Sequence, residues 1–306
     1  MKYVHTSIMP KELLEYLVPQ SDSPVMVDAT CGEGGHSHLF LSQYPNLHLI
    51  GLDRDHVIQE KAIARLSEFG SRFEAVNTWF DTYFTEAPTG AFDLILFDLG
   101  ISMFHFEESE RGFSFRKGEK LDMRLNDDDP ISAFDVINRY DEEKLANVIY
   151  TFGEERYSRR IARAIVQERK TKTITTTDDL ATLIYKSVPP AYRYQKIHPA
   201  TRTFQAIRIE VNHELDRIEP ALTEALRTLK VGGRLAVISF HSLEDRPVKW
   251  LFKNIAQGDH PQIKILTKKP LTPSEEEIAN NPASRSSKLR IVEKLHEEEH
   301  HGTRMV

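Results

Sequence analysis

The sequence predicts an α/β fold in which a doubly wound, mostly parallel sheet is interrupted by a helical insertion. Strand-like and helix-like segments alternate up to residue 98, which is typical of βαβ units. The alternation stops between residues 106 and 199, where apolar residues follow helical spacing. A strand signal returns near residue 234, so the chain should complete the same sheet after the insertion.

The strand segments are short apolar runs. The segment at residues 92–98, FDLILFD, is apolar enough to be buried on both faces, as a central strand of a parallel sheet is. The segment at 288–292 comes last, and we expect it at an edge of the sheet. The predicted strands are residues 25–30, 47–53, 72–76, 92–98, 234–240 and 288–292.

Helical patterns define the insertion and the segment that follows it. Thr176 and Asp179 form a capping pattern before Leu180, which predicts a helix start. Residues 204–229 keep a three-four apolar repeat, which predicts one amphipathic helix on the sheet, bent or broken at Pro220 and ended by Gly232-Gly233. We therefore expect a core domain of residues 1–105 and 200–306 and a helical domain of residues 106–199.

Composition restricts the compartment and the class of protein. The chain has 306 residues, 40% of them hydrophobic and 28% charged, which is typical of a globular protein. It contains no apolar run long enough to span a membrane and no signal-peptide pattern, and Cys31 is its single cysteine, so we expect a cytoplasmic protein without disulfides. The net charge of −6 still permits nucleic-acid binding, which needs only a local basic face.

The strongest local signal is a glycine-rich turn after the first strand. The strand ends at Asp28, and Gly32, Gly34 and Gly35 open the next helix, so that a ligand can approach the backbone closely. Asp53 ends the second strand, where a carboxylate can accept hydrogen bonds from both hydroxyls of an adenosine ribose.

Two kinds of nucleoside ligand are consistent with a glycine-rich turn of this type, a dinucleotide and S-adenosylmethionine. A dinucleotide fingerprint requires a third glycine where this chain has Ser37, so that pattern fails. S-adenosylmethionine has no pyrophosphate, and its cationic sulfonium favours nearby acids such as Asp28, Glu33 and Asp98. The segment therefore favours a methyltransferase over a dehydrogenase, and a glycine turn with a surface acid is the remaining alternative.

Longer motifs resemble one family. They are GEGGHS at 32–37, LDRD at 52–55, FDLGIS at 97–102, ERGFSF at 110–115, LDMR at 121–124, GEER at 153–156, HPATRTFQA at 198–206 and ISFHSLEDR at 238–246. In this order they resemble the bacterial RsmH family, also called MraW, which methylates N4 of a cytosine in small-subunit ribosomal RNA. The resemblance extends to about Arg290 and is far more specific than the glycine turn alone.

The resemblance implies a Rossmann-like S-adenosylmethionine-dependent methyltransferase sheet with an inserted helical domain that recognises RNA. It places Gly34, Gly35 and His36 on the cofactor loop, Asp53 on the ribose and Phe80 near the adenine. The cofactor-binding residues that we expect are Asp28, Gly32, Gly34, Gly35, His36, Asp53, Phe80, Asp98 and His105.

One segment departs from the family pattern. After Asp98-Leu99-Gly100 the family usually reads Val-Ser-Ser-Pro-Gln, whereas this chain reads Ile-Ser-Met-Phe-His. His105 thus stands where a cofactor-contacting glutamine is expected. An imidazole can still make a hydrogen bond but does not have the donor–acceptor fork of an amide.

The residues also bear on which atom is methylated. Carbon-5 methylation of a pyrimidine uses a cysteine nucleophile, and Cys31 lies in the cofactor loop rather than beyond the fourth strand. An exocyclic amine needs no covalent intermediate, only positioning and a hydrogen acceptor. We expect Asp98 or a carbonyl beside it as that acceptor, with Ser239 and His241 close by as further catalytic candidates. The choice of N4, and a position near the decoding centre, rest on the resemblance.

RNA binding is expected in the helical domain. Arg111 and Arg116 flank Phe113 and Phe115, which would combine phosphate contacts with stacking surfaces. The substrate-binding residues that we expect are Arg111, Phe113, Arg124 and Arg202. Further basic groups, which could equally form a solvated face, are Arg156, Arg159, Arg160, Arg163, Arg169, Lys170 and Lys172, then Lys264, Lys268 and Lys269, then Arg285, Lys288 and Arg290.

Two other functions stay open at this point. One is a methyltransferase for another acceptor, such as a different base, a ribose hydroxyl or a protein, and the other is a non-catalytic ribosome-assembly factor. The expected partner is small-subunit ribosomal RNA in an assembled or nearly assembled 30S subunit, with no membrane partner; a homodimer is compatible with the sequence. The tail with Glu297–Glu299, His300 and His301 is expected to be solvated, and we expect no metal site.

Overall fold

A computed structural model describes residues 7–296, which divide into two compact units. Residues 7–100 and 215–296 form the first unit, and Ile101–Glu214 form the second. The histidine- and glutamate-rich tail lies outside the described residues. None of the described helices is both long enough and apolar enough to cross a lipid bilayer.

The strands all belong to the first unit and form one seven-stranded sheet. They are β1 (Val25–Asp28), β2 (His48–Asp53), β3 (Phe73–Asn77), β4 (Phe92–Asp98), β5 (Leu229–Ser239), β6 (Ile263–Ile265) and β7 (Lys288–Lys294). Their order is β3-β2-β1-β4-β5-β7-β6, with β1 to β5 mutually parallel and β7 antiparallel to both neighbours. The chain therefore has the doubly wound, Rossmann-like sheet that the alternating pattern predicts, and its order reverses between β1 and β4.

The α-helices alternate with the strands in the first unit and form most of the second unit. They are α1 (Pro10–Tyr16), α2 (Gly35–Gln43), α3 (His56–Leu66), α4 (Phe80–Glu86), α5 (Met103–Glu107), α6 (Ala133–Arg139), α7 (Glu142–Gly153), α8 (Ser158–Glu168), α9 (Thr177–Ser187), α10 (Pro190–Arg193), α11 (Ala200–Asn212), α12 (Ile218–Thr228), α13 (Ser242–Ile255) and α14 (Glu275–Asn280). The predicted helix start at Thr176 is confirmed, because its hydroxyl accepts from the Asp179 N–H at 3.2 Å.

Alternation along β4 divides the core of the first unit into two layers. Ile95 and Phe97 point to one face and pack with Leu222 of α12. Leu94 and Leu96 point to the other face, in the same apolar cluster as Phe40 of α2. All four β4 side chains are almost fully buried, so the sheet is covered on both faces as a parallel sheet requires.

Two sequence predictions at the far side of the sheet were wrong. The strand β7 is not an edge, because it pairs with β5 on one side and with β6 on the other. The edge strand β6 has three residues, too few to produce a readable alternation. Gly232-Gly233 lie inside β5 rather than ending a helix. A Cβ on Gly233 would stand 2.8 Å from the Lys230 carbonyl oxygen, so close backbone approach explains this glycine.

The long apolar repeat forms two helices instead of one. The break falls at His213, which has a left-handed φ of 50°, and Pro220 sits in the first turn of α12, where a proline is tolerated. The first helix, α11, belongs to the second unit, while α12 packs under the sheet. The boundary between the units therefore follows Glu214 rather than residue 199, because an apolar stripe does not reveal which layer it packs against.

The second unit is helical, with its own apolar core. Residues of α6, α7, α8, α9 and α11 supply most of that core, including Ile149, Ile161 and Phe204. Asn212, 1% exposed, joins α11 to the loop before α6: its amide donates to the Met123 carbonyl at 2.8 Å and accepts from the Leu125 N–H at 2.9 Å. This loop is therefore held in shape by a buried amide instead of by regular secondary structure.

Candidate functional site

The predicted acids meet at one edge of the sheet. Because β1, β2, β4 and β5 run in parallel, their carboxyl ends lie on the same side. The terminal residues there are Asp28, Asp53, Asp98 and Ser239. Ligands of open α/β sheets bind in the crevice outside these ends, next to the point where strand order reverses.

The turn between β1 and α2 wraps tightly around the end of the first strand. Cys31 donates its backbone N–H to the Leu52 carbonyl, and Gly34 donates to the Cys31 carbonyl, both at 2.8 Å. Gly34 has a φ of +75°, and a Cβ there would come within 2.9 Å of Leu66. The glycine is thus required both by the backbone conformation and by the packing of α3 against the turn.

Asp53 links the end of β2 to this turn. One carboxylate oxygen accepts from the Gly32 N–H at 2.9 Å and the other from the Asp55 N–H at 2.8 Å. Each oxygen has a second lone pair, and the side chain is only half-buried. Asp53 therefore orders the turn through both of its carboxylate oxygens while its side chain stays partly accessible.

Asp28 lies deeper, beneath the turn. Its side chain is 1% exposed, and its carboxylate accepts from the Ser37 hydroxyl at 2.7 Å. Burial raises the pKa of Asp28. This residue therefore anchors the start of α2 to β1, and it supports the loop from below.

Cys31 is buried within the same turn. Its sulfur lies 3.4 Å from the Ser37 hydroxyl. Burial, together with the negative charge of Asp28, raises the pKa of the Cys31 thiol well above its usual range. A nucleophilic cysteine needs the opposite shift, toward thiolate, so this sulfur is a packing group.

Asp98 is held at the end of β4 through its backbone and faces a histidine. Its N–H donates to the Thr30 hydroxyl at 2.7 Å, a contact that the sequence pattern does not reveal. One carboxylate oxygen lies 3.5 Å from Nδ1 of His36. The Asp98 side chain is 10% exposed, so it sits at the edge of the core with a restricted opening to solvent.

His36 is oriented by its second ring nitrogen. Nε2 lies 3.0 Å from the Ile8 carbonyl oxygen, which can only accept, so Nε2 carries the hydrogen. Burial lowers the pKa of His36, and the neighbouring Asp28 carboxylate opposes that shift without reversing it. Because Nε2 carries a hydrogen, a hydrogen bond between Nδ1 and the Asp98 carboxylate requires one proton between these two groups.

The end of β5 contains a buried acid that motif spacing alone does not single out. Glu244 is 2% exposed; one oxygen accepts from the Phe240 N–H at 2.7 Å, and the other lies 3.0 Å from Nε2 of His241. His241 is the N-cap residue of α13. Ser239 is buried as the last residue of β5 and does not cap the helix, so its place is in the sheet itself.

Aromatic rings flank the carboxylates. Phe80 is the first residue of α4, directly after β3, and its ring meets the ring of Phe97 edge-to-face at 5.5 Å. Phe80 is half-buried, whereas Phe97 belongs to the core. An apolar ring is thus available at the strand end next to Asp53.

The remaining predicted contacts belong to the second unit, which is described by itself. His105 lies on α5, is 4% exposed and packs its ring against Phe113 at 5.2 Å. Phe113, also 4% exposed, is part of the apolar core. The expectation that Phe113 offers a stacking surface is therefore corrected: the ring fills the core, and Phe115 is the more accessible of the two.

Two of the predicted RNA-binding arginines hold the loop before α6. The guanidinium of Arg111 donates to the Arg124 and Leu125 carbonyls at 3.2 and 3.0 Å. Arg124 forms a two-pronged contact with Asp122 and also donates to the Asp127 and Asp129 carbonyls. Their geometry is that of structural arginines, because several donors of each are directed at the protein's own oxygens.

Other basic residues divide between structure and surface. Arg169 donates to the Ile137 and Tyr140 carbonyls, so it also has a structural place. Arg202 donates once, to the Glu154 carbonyl at 2.9 Å, and is otherwise exposed. Arg159 and Arg160 are exposed on α8.

Within residues 7–296, no group of three His, Cys, Asp or Glu side chains has the arrangement of a metal site.

A doubly wound sheet with acids at the ends of β1, β2 and β4 and a glycine turn leading into α2 defines a Rossmann-like methyltransferase, a class that uses S-adenosylmethionine. The chain belongs to the MraW methylase family, whose model matches residues 2–295.

Three curated relatives carry the name ribosomal RNA small subunit methyltransferase H. The protein from Treponema denticola is 48% identical over 96% of this chain and 98% of its own length. The protein from Trichormus variabilis is 49% identical over 95% of this chain and 92% of its own length. That of a Sulfurihydrogenibium species is 48% identical over 95% of this chain and 99% of its own length.

We predict that Thr30→Val weakens the first unit, because the substitution removes the acceptor of the Asp98 N–H while keeping the shape of the side chain. The expected loss of unfolding free energy is about 1–3 kcal/mol, the cost of a buried donor without a partner. Urea denaturation followed by tryptophan fluorescence measures it, since Trp79 and Trp250 both belong to this unit.

Thr30→Ser keeps the hydroxyl and should recover most of that stability. The matched control is Thr82→Val, a position exposed on α4. Equal losses for Thr30→Val and Thr82→Val would show that the hydrogen bond contributes nothing.

Proposed function

We propose that this chain transfers a methyl group from S-adenosylmethionine to the exocyclic N4 amine of a cytidine in small-subunit ribosomal RNA. The observation that carries the proposal is the near-full-length match to the MraW methylase family, together with relatives about half identical that are named as small-subunit rRNA methyltransferases. The family resemblance extends it to a cytidine near the decoding centre of an assembled or nearly assembled 30S subunit.

The edge of the sheet fits the cofactor by the chemistry of its donors and acceptors. Asp53, a partly accessible carboxylate at the end of β2, would accept hydrogen bonds from the two ribose hydroxyls, and the turn at Gly32 and Gly34 would bring backbone close to a ligand. The ring of Phe80 would lie against the adenine, and the acids at the strand ends favour the positive sulfonium. When bound, the cofactor supplies an electrophilic methyl group.

Asp98 is our candidate acceptor for the hydrogens of the amine. Hydrogen bonds from the amine to the carboxylate would orient its nitrogen and draw electron density back from the ring, and the carboxylate would take the proton that the amine loses. Nδ1 of His36 lies 3.5 Å from the same carboxylate, so a proton taken up by Asp98 would be shared with that nitrogen. We assign Asp98 as a catalytic residue and His36 as a positioning residue that acts through it.

The end of β5 would complete the acceptor side of the site. Nε2 of His241 lies 3.0 Å from Glu244, which also accepts from the Phe240 N–H, so Glu244 joins the end of β5 to the first turn of α13 where a base would approach. Ser239, the last residue of β5, would help to position the base at the end of that strand. We propose His241 and Ser239 as residues that position the base, with weaker effects on the rate than Asp98.

Other methyl acceptors are less consistent with the residues. Carbon-5 methylation needs a cysteine thiolate, and the raised pKa of Cys31 opposes that form. Ribose methylation often relies on a lysine in the active site. Lys288 stands opposite Ser239 in the sheet, but its ammonium lies 3.5 Å from the Asp245 carboxylate and is therefore paired with that acid. An exocyclic amine requires neither group.

We propose that the second unit binds RNA. Exposed guanidinium groups at Arg159, Arg160 and Arg202 would neutralise phosphates, which makes binding dependent on salt. His105, which replaces the glutamine of the family pattern, would instead serve the cofactor, with one hydrogen bond in place of the amide's donor–acceptor fork. A folded RNA would contact this unit over an extended surface, whereas a free nucleoside is too small to need a second unit.

Asp53→Ala should weaken cofactor binding by roughly 1–3 kcal/mol, because two hydroxyls lose a charged acceptor and the turn loses its tie to β2. Isothermal titration calorimetry with S-adenosylmethionine measures the change. Asp22→Ala, at an exposed position of the same unit, is the matched control. An affinity equal to that of the control would remove Asp53 from the site.

Asp98→Asn should lower kcat by roughly 10²–10⁴-fold, the usual range for loss of a general base, while the protein stays folded. His36→Gln should lower kcat less and shift its pH profile, because the ring that faces Asp98 is gone. His38→Gln, half-buried on the same helix, should leave both unchanged. Wild-type turnover by Asp98→Asn would refute the assignment.

The product itself tests the whole proposal. Purified protein, small subunits and cofactor with a deuterated methyl group should yield labelled N4-methylcytidine, detected by mass spectrometry of the nucleosides. Free cytidine should be a poor acceptor even at high concentration, because it lacks the contacts that orient the amine. Label in 5-methylcytidine or in a 2′-O-methylnucleoside would assign a different reaction, and no label in any nucleoside would favour an assembly factor without catalysis.

A further inference from the structure

A column of aromatic rings crosses the surface of the second unit. The rings of Phe115 and His198 stack at 4.7 Å with an angle of 24° between their planes. Tyr185 continues the column, nearly parallel to His198 at a centroid distance of 6.1 Å. Phe204 meets Phe115 edge-to-face at 5.2 Å and ties the column to the apolar core. Tyr185 lies on α9 and Phe204 on α11, Phe115 lies in the loop before α6, and His198 stands two residues before the start of α11.

The column is held in place rather than mobile. Nδ1 of His198 accepts from the Ala200 N–H at 3.2 Å, which orients the imidazole at the start of α11. The guanidinium of Arg193 lies 5.2 Å from the centre of the Tyr185 ring and is fixed by hydrogen bonds to the Lys186 and Val188 carbonyls. A pre-ordered platform loses little entropy when a ligand stacks on it.

The column is also open to solvent, unlike Phe113. His198 is exposed, and Tyr185 and Phe115 are half-buried. Partial burial and the nearby Arg116 lower the pKa of His198, so its ring is neutral near pH 7 and stacks as an aromatic group. Solvent-accessible aromatic side chains are the usual platform for unpaired nucleobases, which can stack at the end of such a column or insert between its rings.

The charges around the column suit a polyanion. Residues 180–209 contain Lys186, Arg193, Lys196, Arg202 and Arg208 and no Asp or Glu, in a chain whose net charge is −6. Arg208 is paired with Glu214, whereas Lys186, Lys196 and Arg202 are exposed. Arg116, also exposed, adds a positive charge beside His198. Phosphate contacts and stacking surfaces therefore occur together.

We infer that the column of Phe115, His198 and Tyr185 is a stacking site for an unpaired base of the RNA substrate, with Arg116 and Lys196 contacting the adjoining phosphates. This inference rests on the proposed function and deepens it, since it identifies single-stranded RNA rather than duplex as the feature that the second unit grips. Because every base has a stacking face, the site should tolerate any base but not a missing one.

The experiment compares two single-stranded RNA probes that differ at one central nucleotide, which is either 2-aminopurine or abasic. The full chain should bind the base-containing probe about tenfold more tightly, since stacking is worth roughly 1–3 kcal/mol per base. Binding should also quench 2-aminopurine fluorescence. His198→Ala and, separately, Tyr185→Leu should bring the affinity ratio of the two probes close to one.

Two controls separate stacking from folding and from charge. His198→Phe keeps an aromatic face without the imidazole nitrogens and should retain the ratio. Tyr150→Ala removes a tyrosine that is 62% exposed on α7 in the same unit, and it should leave the ratio unchanged. Arg116→Ala should weaken both probes alike and reduce the salt dependence, because phosphates are present in each.

A wild-type ratio near one, or an unchanged ratio in both His198→Ala and Tyr185→Leu, would overturn the inference. An equal loss in His198→Phe and His198→Ala would assign the effect to hydrogen bonding by the imidazole and overturn it as well. Methyl transfer to small subunits is measured on the same preparations. If the wild type methylates no ribosomal RNA, the proposed function fails on that readout, while the probe ratio still decides whether the column stacks bases.

Discussion

The parallel pairing of β1 between β2 and β4 is the constraint on which the rest of the structure depends. Met26 to Asp28 lie opposite Leu49 to Gly51 on one side and Leu94 to Leu96 on the other. This register brings the ends of the three strands to one edge, so that acids far apart in sequence stand around a single turn. Apolar residues on both faces of β4 maintain the register, because a slip of one residue would exchange the two faces.

At that edge, burial gives three similar acids different tasks. Asp28 is enclosed and anchors α2. Asp53 is half-buried and orders the turn through two backbone N–H groups. Asp98 lies between these extremes, held by Thr30 and faced by His36. The same side chain is thus an anchor at one position and a candidate ligand acceptor or a candidate base at the others, according to its access to water and its neighbours.

In the second unit, the arginines and the aromatic residues likewise divide between structural positions and the surface. Arg111, Arg124 and Arg169 direct their donors at main-chain carbonyls and shape the unit from within. Arg159 and Arg160 remain at the surface. Among the rings, Phe113 fills the core while His198 is exposed. Residue type alone therefore does not separate structural side chains from those at the surface.

The sequence by itself determined the class of fold, six of the seven strands, the helical middle segment, the glycine turn and the three strand-end acids, because these depend on local periodicity and on residues near in sequence. The motif series also determined the family. Only the tertiary structure decided that β7 is internal, that the long repeat breaks at His213 and that Phe113 is a core residue. It alone revealed Thr30, Glu244 and the pairing of His36 with Asp98. Those features arise from contacts between segments distant in the chain, where burial and the available partners, rather than spacing, set what each side chain does.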